Sequence, residues 1–365
     1  MRKKSSRFGA LLLTLCMVFF GLPASAMAET AVQVRTWEEL KNAVESAAVG
    51  ETTVIRMTED IVVEESMTVD EGQEIVLDMQ GHAITVTQNF STRVFTNNGT
   101  LTIKGGGSID VTAAGVNGYG TVNNFGVLTV VDGTFTSLKE SRANNIYVRE
   151  GGSAVFVEPT MYGGSGCIAT EVNTTVEIQG GSYTNEWYPC IENRGYMTIT
   201  GGTFVNTSCS SCTTNWGYTV RSGNGAPNAY LKIQGETNDS VKVTGVQGGL
   251  AIIESFADIY NGTYETVSCE KHTGGGTAFY ALYVSGESGK VECNVYGGTF
   301  TAVTKQAAFV GNNNPGGDGG KRMPSAANFY GGTFKTNGTG DAVYVNEKIG
   351  GLSVTGGTYL KQDNT

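Results

Sequence analysis

One short phrase recurs along this chain: VVDGTF (130–135), IQGGSY (178–183), ITGGTF (199–204), IYNGTY (259–264), VYGGTF (295–300), FYGGTF (329–334) and VTGGTY (354–359). The shortest interval between copies is 21 residues, and self-similarity at such a period is the mark of a repeat architecture. A second short apolar stretch accompanies the phrase in each unit: VFTNNG, TVNNFG, IYVREGG, CIATEV, CIENRG, YTVRSG, LAIIES, ALYVSG, AAFVGN and AVYVNE. Each unit therefore carries two or three strands rich in Val, Ile, Tyr, Phe and Thr, divided by Gly and Asn. One such unit cannot bury its apolar side alone, whereas stacked units share a continuous core and pair their backbones with the coils above and below. The expected fold is all-β, a right-handed parallel β-helix with about ten coils beyond Arg93. At about 4.8 Å per rung that makes a rod of roughly 50 Å.

The phrase has a physical reading within that fold. Glycine supplies the positive φ that a sharp corner needs, and side-chain alternation then sends Thr outward and the aromatic inward. Phe135, Tyr183, Phe204, Tyr264, Phe300, Phe334 and Tyr359 are expected to form an internal stack. Asn98, Asn124 and Asn193 fall at comparable strand ends, where Asn tolerates left-handed backbone and bonds to neighbouring main chain.

Composition agrees with a chain full of corners. Gly makes up 52 of 365 residues, about twice the usual share, while apolar content is ordinary, so disorder does not explain it. The N-terminus, MRKKSSRFGALLLTLCMVFFGLPASAMAET, has the basic start, apolar run and small-residue end of a secretory signal peptide over 1–28. Its apolar run is shorter than the roughly 20 residues a spanning helix needs, so no membrane span is expected in the mature chain. Removing it leaves 20 Lys and Arg against 34 Asp and Glu, a balance of −14. That excludes nucleic acid and anionic membrane as natural partners. The expected product is secreted or displayed on the cell surface, as a monomer.

Residues 29–50 form an N-terminal capping region ahead of a β-helix over 51–365. In TWEELKNAVESAAVG, Thr36 and Glu39 make a capping box, Trp37, Leu40, Val44 and Ala47 share one face, and Gly50 ends the helix. Such a lid covers the core and strand edges that a terminal rung otherwise exposes. The short stretches TTVIRM, DIVVEE, MTVDEG, EIVLDM and HAITV read as the first coils. Because the last residues follow a phrase directly, the solenoid is expected to be truncated or to continue past residue 365.

From TWEELKNAV through EIVLDMQGHAIT and the repeated GGTF phrases, the chain resembles the pectate-lyase-like right-handed β-helix proteins. It is most similar in character to Gly-rich, adhesin-like surface proteins of Gram-positive bacteria. The resemblance covers nearly the whole mature chain and implies the fold far more than the activity, because this fold carries lyases, hydrolases and adhesive rods alike.

Enzymes of that superfamily place paired or clustered carboxylates on the outer strand faces. This chain has no Asp-Asp pair and no Gly-His-Gly, and its two histidines are His82 and His272. Asp110, Asp132, Glu177 and Asp258, with Arg149, Arg194 and Arg221, are the available ionisable groups, and they read as solvated outer-face charges rather than a catalytic set. The leading expectation is a structural or adhesive protein contacting a polysaccharide or host glycan. The alternative is a polysaccharide lyase or glycoside hydrolase acting on acidic polysaccharides.

Six cysteines remain after signal removal. Cys167 and Cys190 open equivalent strands and should lie on adjacent rungs, where either a disulfide or a reduced buried stack fits. Cys293 falls on a core strand. Cys209-x-x-Cys212 and Cys269-x-x-His272 leave the same corner two rungs apart and together supply the ligands of a closed structural zinc site, with disulfides or unpaired thiols as the other readings. On the same edge, Trp187-Tyr188 and Trp216-Gly217-Tyr218 offer aromatic contacts for sugar rings, or else fold back over the loop bases.

Overall fold

Every coil visits the same three positions in the same order. Val122–Asn124 is followed by Val127–Val130, then across the glycine corner by Thr134–Thr136, after which the chain returns to the first position one rung higher. The structure is a computed structural model that describes residues 31–117, 120–138, 144–207, 217–268, 280–286, 289–311, 325–338, 340–346 and 350–361. Within them, like strands lie over like in three sheets. Sheet 1 has 13 strands from Val32–Val34 to Gly350–Val354, sheet 2 has 11 from Met67–Val69 to Val343–Val345, and sheet 3 has 12 from Ile61–Val63 to Thr358–Lys361. Their ladders are parallel, as in Leu128 over Leu101, Phe204 over Tyr183 and Asp258 over Lys232. This is a parallel β-helix, and each of the strands expected from the sequence is present. Among the described residues no helix is long and apolar enough to cross a membrane.

The glycine corner joins sheet 1 to sheet 3, and its two glycines answer to different constraints. The one before Ser or Thr has a φ between 94° (Gly332) and 116° (Gly202, Gly262) in all seven phrases, a region that a Cβ disfavours. The one before it is close to the coil below: a Cβ on Gly201, Gly297, Gly331 or Gly356 would drive into the carbonyl oxygen of Gln179, Tyr260, Tyr296 or Tyr330. Two phrases carry a side chain there, Asp132 and Asn261. In both, a side-chain oxygen accepts from a backbone N–H of the underlying coil, Asp132 from Gly106 at 2.9 Å and Asn261 from Gly235 at 2.7 Å.

Immediately after the corner, the aromatic turns into the core. Tyr183 stacks on Phe204 with centroids 4.8 Å apart, Tyr264 on Phe300 at 4.6 Å, and Phe300 on Phe334 at 4.9 Å, all with ring planes nearly parallel. Phe and Tyr interchange here because the phenol reaches a carbonyl three residues back: Tyr183 donates to Gly180 at 3.0 Å and Tyr264 to Asn261 at 2.8 Å. Six of the seven expected ring positions are fully buried. Tyr359 departs from the expectation, being 38% exposed on the last described rung, with Phe334 below it and no described rung above.

Two further expectations are refined. The asparagine in register with Asn124 is Asn97, not Asn98: Asn97 is buried and donates to Asn124 Oδ1 at 2.7 Å. The period-two alternation fixes this, since Asn98 belongs to the corner and only Asn97 points inward. At the N-terminal end the helix spans Trp37–Glu45, buries Leu40, Ala43 and Val44, and is capped by Thr36, whose hydroxyl accepts from Glu39 N–H. The Glu39 carboxylate reaches back to the N–H of Arg35 at 2.8 Å rather than to that of Thr36. A strand that the sequence reading left out, Val32–Val34, precedes the helix and pairs with Ile55–Met57, so sheet 1 begins before the lid.

Candidate functional site

Among the described residues, the outer face of sheet 1 carries polar and aromatic groups in ordered rows. Strand alternation puts every second residue outward, and register stacks these residues in rows along the rod. One row runs Tyr196, Tyr230, Phe256 and Glu292, and the next runs Thr198, Lys232, Asp258, Asn294 and Asn328. In a third row, just before the glycine corner, stand Tyr260, Tyr296 and Tyr330. Their rings stack with centroids 4.7 and 5.0 Å apart, and they are 39%, 42% and 48% exposed. The spacing is the rung step itself, so the stack follows directly from the fold.

The middle row is a chain of hydrogen bonds converging on one carboxylate. Asn328 Nδ2 donates to Asn294 Oδ1 at 2.8 Å, Asn294 Nδ2 donates to Asp258 Oδ1 at 3.0 Å, and the Tyr230 hydroxyl donates to Asp258 Oδ2 at 2.6 Å. Burial, reinforced by the bond to Asp258, pushes the Tyr230 phenol well above its ordinary value, so it remains a donor. Lys232 Nζ lies 5.5 Å from the centre of the Tyr260 ring, a cation–π distance. The result is a shallow trough with a floor of carboxamides and a carboxylate, walled by the tyrosine stack on one side and by Tyr230, Phe256, Glu292 and Ala326 on the other.

Along the adjoining corner run two grooves. One, of about 890 Å³, is lined by Glu158, Gln179, Thr200, Gln234, Glu236 and corner glycines, and the other, of about 450 Å³, by Asn238, Tyr260, Thr333 and further corner glycines. Residues 235–240 contribute to both. They are held to the rung above by Gly262 N–H donating to Asn238 Oδ1 and by Thr263 Oγ1 donating to the Asn238 carbonyl. Asn261, which like Asp132 stands where the other five phrases have Gly, is accommodated by accepting from the Gly235 N–H of this same segment.

The ionisable groups singled out in the sequence lie on different faces. Asp110 accepts from Thr112 N–H within its own turn, and Asp132 accepts from Gly106 N–H of the coil below. Glu177 accepts from Gln179 on sheet 1, three rungs from Asp258. On sheet 2, Arg149 pairs with Glu171 at 2.8 Å and packs over Tyr147 at 4.1 Å, while Arg194 and Arg221 share Glu192 at 2.9 and 3.1 Å. These three arginines are thus each matched to a carboxylate.

Of the four expected edge aromatics, Trp187 and Tyr188 come together, with ring centroids 6.0 Å apart and Tyr188 38% exposed. Their loop is tied down by Asn185 and Asn206, whose side-chain amides both donate to the Tyr188 carbonyl. Tyr218 is buried instead, stacked on Tyr283 at 5.4 Å in a second apolar cluster with Tyr280 and Phe309 on the outer face of sheet 2. Trp216 lies outside the described residues.

Cys209, Cys212, Cys269 and His272 also lie outside them, as do residues 1–30 with the expected signal segment. What the structure supplies for the zinc expectation is the register of the flanking strands. Asn206 pairs with Gly245 and Gly245 with Thr266, so the two loops start two rungs apart, roughly 10 Å. Among the described residues no group of three or more His, Cys, Asp or Glu is placed to hold a metal. Cys167 and Cys190 sit on adjacent rungs, buried and as free thiols, with Ala281 and Ala307 in the equivalent position higher up. Cys293 is likewise buried and free, between Ala257 and Ala327.

Sequence reading missed Tyr260, Tyr296 and Tyr330, although IYNGTY, VYGGTF and FYGGTF spell them out. The phrase fixes where each ring stands relative to its own corner, while the pairing of the strands sets the three corners on successive rungs. Comparison with protein-family models, with curated proteins and with solved structures finds no match to this chain.

Proposed function

We propose that this chain is an exported, monomeric β-helix of the pectate-lyase-like superfamily, resembling the Gly-rich surface proteins of Gram-positive bacteria, and that it serves as an adhesive rod recognising glycans outside the cell. The observation that carries this reading is the exposed trough on sheet 1, where carboxamides, a carboxylate and phenols repeat at the rung step on a rigid wall. Aromatic side chains beside a few fixed polar groups are the usual makings of a small-molecule or sugar site. The leader-like residues 1–28 and the acidic balance support export and a partner that is neither nucleic acid nor anionic lipid.

The test is a glycan array probed with the purified chain, run beside an assay for release of unsaturated products from polygalacturonate. Retention of glycans without turnover supports the adhesive rod. Unsaturated product would replace it with a polysaccharide lyase acting on acidic polymers.

A further inference from the structure

We infer that the outer face of sheet 1 between Tyr230 and Tyr330 is a binding trough for an unbranched, uncharged polysaccharide that lies along the rod axis with about one sugar unit per rung. The inference rests on the glycan-binding reading above and adds the site, the direction and the chemical class.

The direction follows from repetition. Asp258, Asn294 and Asn328 present polar groups at successive rungs, and Tyr260, Tyr296 and Tyr330 present hydroxyls at the same steps. A ligand that meets all of them must itself repeat at about 4.8 Å, close to the length of one pyranose unit in an extended polymer. A backbone branched at these units would send its side sugars into the flanking rows of Tyr260, Tyr296 and Tyr330 or of Phe256 and Glu292.

The mode of recognition follows from the rings. Tyr260, Tyr296 and Tyr330 stack on one another, so each covers its neighbour's face and the row shows solvent mainly ring edges and hydroxyls. It is a poor platform for a sugar ring laid flat and a good rail of hydrogen-bonding groups. The floor complements it. Each carboxamide spends one N–H on the row, and an Asn side chain has two N–H donors and two carbonyl lone pairs, so capacity remains for a hydroxyl or acetamido group. Because the donors of Asn294 and Tyr230 both point to Asp258, the floor is fixed before any ligand arrives, which lowers the ordering cost of binding.

The class follows from charge. The cation of the floor row is Lys232, packed against the Tyr260 ring, and Asp258 and Glu292 lie on the same face. Polyanion recognition calls for several cations, commonly Arg forks, on one face. With the whole chain at −10, an acidic polymer is repelled from this surface, whereas hydroxyls and acetamides are not.

Titration calorimetry with β-1,4-linked glucose, mannose and N-acetylglucosamine oligomers, from dimer to hexamer, tests the proposal on the intact chain. Affinity for at least one series should rise with length until the four rungs from Tyr230 to Asn328 are filled, then level off. Asn294→Ala and Tyr296→Ala should each weaken binding about three- to tenfold, as expected for one lost hydrogen bond. Trp187→Ala should leave it unchanged, and unaltered far-ultraviolet dichroism will show that the variants fold. Oligomer binding that is indifferent to Asn294→Ala and Tyr296→Ala but lost in Trp187→Ala overturns the trough while leaving the adhesive reading intact. Binding confined to polygalacturonate or heparin overturns the uncharged class. Failure to bind any glycan, on the array or in solution, overturns the trough and the broader reading together.

Discussion

Tyr230 and Asp258 are joined by a 2.6 Å hydrogen bond between neighbouring rungs, with the phenol as donor and Asp258 Oδ2 as acceptor. Phe256, not Asp258, lies directly over Tyr230, so the bond is a diagonal one that ties two outer rows together. Burial and this acceptor raise the Tyr230 phenol above its ordinary value. In Asp258→Asn the Tyr230 phenol should therefore ionise nearer the ordinary tyrosine value, read by NMR of ring-labelled tyrosine against a Tyr230→Phe reference. An unmoved titration would show that burial alone holds the phenol protonated.

The core tyrosines make the rod sensitive to alkali. Burial raises the phenols of Tyr183 and Tyr264 far above normal and that of Tyr280 to about 12. The folded state thus holds these protons more tightly than the unfolded chain. Their stabilisation is fully present below the unfolded value near 10 and is lost as pH rises from there through the folded values, each group contributing about 1.4 kcal/mol per pH unit. Chemical denaturation should show a steep loss of stability above about pH 10. Tyr264→Phe should flatten that slope, and an equal slope in both proteins would contradict the assignment.

Glycine substitutions at one corner should fail for two separate reasons. Gly298→Ala forces a Cβ into backbone with φ 101°, whereas Gly331→Ala pushes a Cβ against the Tyr296 carbonyl at ordinary φ. Each should cost more than about 1 kcal/mol. In Gly298→Asn, the residue most tolerant of left-handed backbone, part of the loss should return. Gly331→Asn should regain less, and only through a side-chain bond of the kind Asn261 makes to the Gly235 N–H, because the obstruction there is steric. Thermal melts of the four variants decide this, and equal recovery at both positions would remove the distinction.

Cys167, Cys190 and Cys293 should be silent to thiol reagents in the native protein. All three are buried and free, and burial is the main cause that raises the thiols of Cys190 and Cys293. Mass spectrometry after labelling should find them modified only once the chain is unfolded. The zinc expectation has its own readout: stoichiometric metal in the intact chain that Cys209→Ser loses. Equal zinc content in the two proteins rejects that site.

How much of this was legible beforehand differs from element to element. The strands Thr52–Met57, Ile61–Val63 and Met67–Val69 follow from apolar alternation, and Thr36 announces the helix that starts at Trp37. Val32–Val34 escaped notice because it stands alone ahead of the helix, with no neighbouring strand-like stretch to mark it as part of a coil. Tyr218 looked like a loop aromatic by its neighbours Trp216 and Gly217, yet it opens the strand Tyr218–Gly223, where Tyr283 from two coils higher packs on it. Nothing local distinguishes a tyrosine about to be covered from one left exposed.

The amino-acid order by itself determined the period, the strands and the corner, because those rest on backbone constraints within a few residues: alternation along a strand, and glycine where a Cβ cannot stand. Only the tertiary structure decided which distant residues share a row. Tyr260, Tyr296 and Tyr330, or Asp258, Asn294 and Asn328, are separated by loops of unequal length, and they align because parallel pairing fixes register rung by rung regardless of how much chain is looped out between strands. The trough on sheet 1 is a property of that register.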